Sequence, residues 1–170
     1  VNGIMIRTFG HTICTGLADA AGIPVINGLT DHEHPCQAMA DFLTLIEHKK
    51  NLSKAKLTYV GDGNNVTHSL VLTAAKLGST MYVATPAGYK PDQGVMDRAA
   101  ELARANGGQI VWTADPIEAV RDADMVYTDT WTSMGQEAEA EQRRSIFRPY
   151  QVNQELFSHA APDAVFMHCL

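Results

Sequence analysis

The stretch MVYTDTWTSMG, residues 125–135, joins a short apolar run to a polar segment. Its first part, MVYT, has the length and composition of a buried strand in a parallel sheet. Asp129 is the first charged residue after that run, and the following segment, which contains Gly135, cannot be regular helix from its beginning. Ligands of open α/β sheets bind outside the carboxyl ends of the strands. The stretch therefore predicts a strand that ends in a ligand-binding loop.

The chain has three more boundaries at which an apolar run precedes a polar cluster. They are LTYV before GDGNN (57–65), AVFM before HCL (164–170) and IPVI shortly before HPCQ (23–37). Because the strands of a parallel sheet present their carboxyl ends at one edge, these polar clusters predict a single site.

From residue 57 onward, runs of strand length alternate with helical patterns. Strands are predicted at 57–60, 80–84, 109–112, 125–128 and 164–167, and helices at about 65–77, 92–105, 116–122, 137–146 and 153–159. This alternation predicts an α/β fold in which a parallel sheet is covered by helices on both faces, a Rossmann-like three-layer α/β/α arrangement.

The first fifty residues predict part of a second, similar domain. We expect a strand at 4–8, a helix at 12–21, a strand at 24–26, and a long helix from near His34 to about Lys49. The polar segment 51–54 predicts a domain boundary, with one unit at 1–50 and the other at 51–170. The chain begins without Met and ends just as its last polar cluster starts, so we expect a piece of a longer protein.

Composition excludes several classes of function. The net charge is −6, and the only basic pairs are Lys49-Lys50 and Arg143-Arg144, which argues against nucleic acid as a partner. No apolar run approaches the roughly 20 residues that a membrane span requires. The three cysteines are an odd number at unrelated spacings. We therefore expect no disulfide framework and a reducing, cytoplasmic location.

His34 and Gln37 are three residues apart at the predicted start of the long helix. This spacing brings both side chains to one face, beside N–H groups at the positive end of the helix dipole. Such a position suits an anion or a carbonyl oxygen. The alternative is that Asp31 or His32 caps the helix and His34 is an ordinary surface residue. Spacing alone does not decide between them.

The GDGNN cluster invites a dinucleotide-binding interpretation, since its glycines allow a tight turn near a phosphate. The third small residue of that fingerprint is replaced by Val66, and no acidic residue follows the next predicted strand, at 84–86. NAD binding is therefore disfavoured. We expect Asn64 to cap the helix that follows.

Asp129 and Ser133 are four residues apart in a loop that can fold both into one pocket. A carboxylate for an ammonium group and a hydroxyl for a carboxylate are the minimum needed to hold an α-amino acid. The alternative is that Asp129 caps the helix predicted at 137–146.

His168 and Cys169 could indicate a metal site or a thiol nucleophile. A metal requires three or four ligands, and adjacent residues rarely point the same way. A nucleophilic cysteine needs a base held close to it. We expect neither function.

In this order and spacing, HPCQ, GDGNN, DTWTSMG and HCL resemble the motifs of the ornithine carbamoyltransferases, in the aspartate/ornithine carbamoyltransferase family. The resemblance implies transfer of the carbamoyl group of carbamoyl phosphate to the δ-amine of L-ornithine, giving L-citrulline and phosphate, without cofactor or metal. It implies a carbamoyl-phosphate-binding domain that ends with the linking helix at residue 50, and an ornithine-binding domain at 51–170.

The resemblance also implies roles for individual residues. Those implied for carbamoyl phosphate are Arg7, His34, Gln37, Cys169 and Leu170. Those implied for ornithine are Asn65, Asp129, Ser133 and Met134, and the catalytic residues would be His34, Asp129 and Cys169.

Members of this family are homotrimers with sites near subunit contacts, so the resemblance implies a homotrimer for the whole protein. The family's Ser-x-Arg-Thr phosphate loop and the arginine after its HCLP segment are absent from these residues, so we expect the isolated chain to be inactive. Two alternatives stay open. One is carbamoyl transfer to another amine such as putrescine, and the other is a non-catalytic Rossmann-type ligand-binding module.

Overall fold

The computed structural model describes residues 1–49, 51–133 and 135–169, and these residues form two parallel sheets flanked by helices. The strands are β1 (Ile4–Arg7), β2 (Val25–Leu29), β3 (Lys56–Val60), β4 (Thr80–Ala84), β5 (Gln109–Thr113), β6 (Met125–Thr128) and β7 (Val165–His168). The helices are α1 (His11–Ala20), α2 (Pro35–Lys49), α3 (Asn65–Lys76), α4 (Gln93–Asn106), α5 (Pro116–Val120), α6 (Ala140–Phe147) and α7 (Gln154–Phe157). Each predicted strand and helix has a counterpart.

The large sheet has the strand order β5-β4-β3-β6-β7, with all pairs parallel. The chain starts in the middle at β3, adds β4 and β5 on one side, and returns to add β6 and β7 on the other. The order therefore reverses between β3 and β6. In open α/β sheets this switch point opens a crevice at the carboxyl ends of the two strands, and ligands bind there.

Helices cover both faces of the large sheet, as the sequence predicted. Met125 and Tyr127 belong to a core cluster that packs against α2, α3 and α4, whereas Val126 belongs to a cluster packed against α5, α6 and α7. All three side chains are fully buried. A strand buried on both faces reads as a continuous apolar run, which explains the MVYT pattern.

Helices α5 and α7 end earlier than predicted, and the segments that follow them bond to each other. After α5, Asp122 has a φ of 55° and its N–H donates to the carbonyl oxygen of His159 at 2.9 Å. The N–H of Ala161 in turn donates to the carbonyl oxygen of Ala123 at 3.0 Å. Both segments are therefore held by contacts other than helical hydrogen bonds. Helix α7 ends at Phe157 rather than near residue 159.

The small sheet pairs β1 with β2, and α2 joins it to the large sheet. Phe42 and Leu45 of α2 are buried in the core under β3 and β6. Met5, Phe9 and Ile26 of the small unit, by contrast, are each more than half exposed. The small unit therefore leaves apolar side chains exposed. None of the described helices combines the length and apolar character needed to cross a bilayer.

Candidate functional site

A cavity of about 610 Å³ opens at the carboxyl ends of the strands, beside the switch point. Side chains from all four predicted polar clusters line it, together with the end of β1. Among them are Arg7, Thr30, His34, Asn64, Asn65, Asp129, Ser133 and Cys169.

Asp129, directly after β6, is the centre of the hydrogen-bond network in this cavity. Its Oδ2 accepts from Asn64 Nδ2 at 2.7 Å, and its Oδ1 accepts from the thiol of Cys169 at 3.0 Å and from the N–H of Thr130 at 2.6 Å. Helix α6 begins at Ala140 without a side-chain cap. The alternative that Asp129 caps that helix is therefore wrong.

Cys169 enters the cavity as a protonated thiol. Burial, followed by its hydrogen bond to Asp129, raises the pKa of Cys169 to about 12. A thiolate is the nucleophilic form of cysteine, and it is scarce near neutral pH when the pKa is this high. The expectation that Cys169 is not a nucleophile agrees with this environment.

His34 precedes the first residue of α2 and is held there by its backbone. Its N–H donates to Ser69 Oγ at 2.8 Å, which ties the start of α2 to α3. Burial, and next the charge of Arg7, lower the pKa of His34, while a hydrogen bond with the Gly28 backbone opposes them. Within the described part of the chain, its buried Nδ1 has no hydrogen-bond partner. His34 lines the cavity, and its imidazole is suited to hydrogen-bond a ligand there.

The alternative in which Asp31 or His32 caps this helix is wrong. Asp31 Oδ1 accepts instead from the N–H of His11, at the start of α1, at 2.9 Å. The carbonyl oxygen of His32 pairs with His68 Nδ1 at 2.8 Å.

The two asparagines after β3 have different partners. Asn64 caps α3, since its Oδ1 accepts from the N–H groups of Val66 and Thr67, both at 3.1 Å, and the predicted cap is confirmed. Asn65 lines the cavity, and its Nδ2 donates to the carbonyl oxygen of Thr30 at 2.6 Å.

Ser133 lines the cavity, and its N–H donates to Gln136 Oε1 at 3.1 Å. Met134 and Leu170, both assigned to the site from the sequence, lie outside the described residues. Gln37 is half-buried in the first turn of α2, and the described cavity lining includes His34 but not Gln37. The structure thus brings six of the predicted residues to one cavity and leaves Gln37 beside it.

His168 and Cys169 correct one geometric expectation. Their ligand atoms and that of Asp129 all lie within 4.8 Å of one another, so these adjacent residues do face one point. The expectation that these adjacent side chains point apart is therefore wrong.

Arg143 on α6 is the residue that sequence reasoning missed. It is only 3% exposed, although Arg143-Arg144 read as an ordinary basic pair. Its guanidinium donates to Asp62 Oδ2 and to the carbonyl oxygen of Trp131, and it lies 4.8 Å from the ring of Tyr89. Arg143 thereby joins the loop after β3 to the loop after β6, on either side of the switch point.

Gly63 marks a close backbone approach in this cavity wall. A Cβ at Gly63 would lie 2.2 Å from the nitrogen of Pro91 and 2.4 Å from the carbonyl carbon of Lys90. We expect Gly63→Ala to lower the free energy of unfolding by about 1–3 kcal/mol, because overpacking forces the backbone to move. Denaturant unfolding measures the change. Gly88→Ala is the matched control, since a Cβ there has open space, and an equal loss in both variants would contradict the close-packing argument.

His68 makes the free energy of unfolding depend on pH, and its environment fixes the sign of that dependence. Its Nε2 accepts from the N–H of Asp92 at 3.0 Å, so the ring is neutral, and burial is the main reason that the pKa of His68 falls below 6.5. Below pH 6.5 His68 therefore becomes protonated in the unfolded chain while it is still neutral in the folded chain. The free energy of unfolding consequently decreases as the pH falls. The decrease stops once the pH is below the folded-state pKa. His34 contributes with the same sign.

We expect His68→Gln to flatten this slope, as measured by urea unfolding between pH 7.5 and about pH 5. His48→Gln, a change on the exposed end of α2, should leave the slope unchanged. The same slope in wild type and His68→Gln would contradict the assignment.

Comparison with known proteins agrees with this geometry. The family model described as the aspartate/ornithine carbamoyltransferase Asp/Orn binding domain matches residues 53–170, and the carbamoyl-P binding domain of the same family matches residues 1–47. The chain is 55% identical over its whole length to the ornithine carbamoyltransferase of Thermococcus kodakarensis, covering 54% of that protein. It is 54% identical to the anabolic ornithine carbamoyltransferase of Pyrococcus furiosus, also covering 54% of it.

Solved structures give the same result. All of the chain superposes on 54% of the ornithine carbamoyltransferase of Pyrococcus furiosus, with a TM-score of 0.96 and 54% identity. It also superposes in full on 58% of the ornithine transcarbamoylase of Giardia lamblia, with a TM-score of 0.90 and 29% identity. The chain spans about half the length of the curated relatives it matches.

Proposed function

Since the chain belongs to the aspartate/ornithine carbamoyltransferase family, we propose that the protein carrying it transfers the carbamoyl group of carbamoyl phosphate to the δ-amine of L-ornithine. The products are L-citrulline and phosphate, and the reaction would serve arginine biosynthesis. The observation that carries the proposal is the cavity at the switch point, where the carboxylate of Asp129 accepts from the thiol of Cys169 beside a neutral His34.

The ornithine side of the proposed site is formed by the loops after β3 and β6. Each carboxylate oxygen has about two lone-pair sites, and among the described residues Asp129 Oδ2 accepts one hydrogen bond, from Asn64, whereas Oδ1 accepts from Cys169 and from the N–H and hydroxyl of Thr130. One site is left for an ammonium or amine group of the substrate. Asn65 and Ser133 supply polar groups for the amino-acid head, and Met134 is proposed to contribute beside them.

The carbamoyl-phosphate side is formed by the end of β1 and the start of α2. The guanidinium of Arg7 suits the negative charge of the phosphate. His34 is neutral, and we propose that it hydrogen-bonds the carbamoyl carbonyl oxygen and so stabilises the charge that develops there during attack. Gln37 and Leu170 are proposed to complete the carbamoyl contacts.

The chemistry needs orientation rather than a protein nucleophile. The δ-amine must attack in its uncharged form, although a free amine of this kind has a pKa near that of lysine, about 10. The raised pKa of Cys169 keeps its thiol protonated and hydrogen-bonded to Asp129. We propose that this pair aligns the amine with the carbamoyl carbon, since alignment of two bound reactants can supply a large share of a rate acceleration.

The proposal also covers the roles of the two domains, the location of the protein and its assembly. We propose that residues 1–50 are part of a carbamoyl-phosphate-binding domain with its linking helix, and that residues 51–170 are an ornithine-binding domain. We also propose that the whole protein is a cytoplasmic homotrimer. The three cysteines are free in the structure, which favours a reducing compartment. Sedimentation equilibrium of the whole protein tests the trimer.

Titration calorimetry of the protein that carries this chain tests the binding part of the proposal. We expect both carbamoyl phosphate and norvaline, an analogue of ornithine without the δ-amine, to bind. NADH should give no heat of binding. Binding of NADH without carbamoyl phosphate would favour the non-catalytic Rossmann-type module and contradict the proposal.

A further inference from the structure

Asp41 is a buried carboxylate that the reaction proposed above does not use. It lies on α2, is 5% exposed, and is surrounded by the main core. An isolated charge in such a place is strongly destabilising unless it is paired or hydrogen-bonded. An apolar residue of similar size could fill the space. Its presence therefore calls for a role in the arrangement of its neighbours.

Both oxygens of Asp41 accept hydrogen bonds from groups next to the cavity. Oδ1 accepts from Gln37 Nε2 at 3.0 Å, and Oδ2 accepts from the hydroxyl of Tyr127 at 2.8 Å. Tyr127 is fully buried on β6, and its hydroxyl gives its one proton to Asp41. Asp41 is thus the link between the central part of the large sheet and a residue proposed for carbamoyl phosphate.

The chemistry of a carboxylate fixes the direction of these bonds. An ionised carboxylate only accepts, so Asp41 must face the NH₂ end of the Gln37 amide. The carbonyl end, Oε1, is then the end that Asp41 does not hold. The carbamoyl group carries an NH₂ that needs an acceptor, and a Gln37 turned in this way retains one. The reversed amide would offer that NH₂ a second donor.

We propose that Asp41, itself held by Tyr127, is a positioning residue that fixes the amide orientation of Gln37. The inference rests on the proposed carbamoyl transfer for the role of Gln37. The hydrogen bond from Tyr127 to Asp41 stands apart from that reaction. The two parts are therefore tested by separate measurements.

The first measurement is steady-state kinetics of the Asp41→Asn variant in the protein that carries this chain. An asparagine can donate to Gln37 and so permits the reversed amide. We expect the KM for carbamoyl phosphate to rise about tenfold, the size expected when a buried polar group loses its partner, while the KM for ornithine changes by less than about twofold. Glu47→Gln, a carboxylate-to-amide change on the exposed side of the same helix, should alter neither KM. An equal rise in both KM values, or no rise, would overturn the positioning role.

The second measurement needs no turnover and uses Tyr127→Phe. Tyr127→Phe leaves Asp41 Oδ2 without its donor, so binding of carbamoyl phosphate, measured by calorimetry, should weaken severalfold although Tyr127 is not among the residues that line the described cavity. Unchanged binding of carbamoyl phosphate in Tyr127→Phe would overturn the positioning role, even if Asp41→Asn failed to fold. Wild-type protein that does not bind carbamoyl phosphate would instead refute the proposed reaction.

Discussion

Asp129→Asn is expected to raise the KM for ornithine and to lower kcat/KM for ornithine by roughly 10- to 150-fold. The substitution keeps the shape of the side chain but removes the charge that faces the amine, and a hydrogen bond to a charged group contributes about 1.5–3 kcal/mol. It also places an NH₂ group opposite Asn64 Nδ2 or the thiol of Cys169, both of which now donate to Asp129. Steady-state kinetics with each substrate varied in turn measures the effect.

The effect should be specific to the amino-acid substrate. Binding of carbamoyl phosphate to the free protein, measured by calorimetry, should change by less than about threefold. Asp19→Asn, at an exposed position on α1, is the matched control and should behave as wild type. Ornithine kinetics in Asp129→Asn equal to those of wild type would contradict the assignment of Asp129.

Arg143→Met is expected to lower the free energy of unfolding by about 3–5 kcal/mol, the usual cost when one partner of a buried ion pair is removed. Burial raises the pKa of Asp62, and the charge and hydrogen bond of Arg143 oppose that rise. Without Arg143 the pKa of Asp62 should rise further. The loss of stability should therefore be larger at pH 8 than at pH 5, where protonation removes part of the unpaired charge. Urea unfolding at the two pH values measures both effects.

Arg144→Met is the control for this prediction, since Arg144 is exposed and next in sequence. Changes at exposed charges seldom exceed about 0.5 kcal/mol. Similar stability losses in the two variants would mean that the contacts of Arg143 to Asp62 and Trp131 contribute little to the fold.

The sequence predicted the helix cap at Asn64 but not the burial of Arg143, and the difference has a physical reason. Asn64 caps the helix that begins at the next residue, and such a local contact can be read from neighbouring letters. Arg143 stands beside Arg144 in a polar helix, and only the packing of α6 against the loop at Asp62 buries one and exposes the other. Burial of this kind depends on the tertiary fold, so no local pattern indicates it.

The same distinction applies to the candidate site. The strand ends were predictable because apolar runs end abruptly, and the strand order then gathers His34, Asp129 and Cys169 into one cavity. The bond between Asp129 and Cys169 joins residues 40 positions apart in the chain, and that between Asp41 and Tyr127 joins residues 86 apart. The spacing of residues along a sequence carries no information about such pairs. Asp41 therefore gave no signal before the sheet and α2 were in place.

The measurement that most directly tests the proposed carbamoyl transfer follows the carbamoyl carbon itself. The protein that carries this chain is incubated with ¹³C-carbamoyl phosphate and either ornithine or putrescine, and the products are identified by mass spectrometry. We predict labelled citrulline from ornithine in the wild type, strongly reduced labelling in Asp129→Asn, and no significant carbamoylation of putrescine, which has no α-amino acid head. Absence of labelled citrulline, or equal labelling of putrescine, would contradict the proposed function of this site.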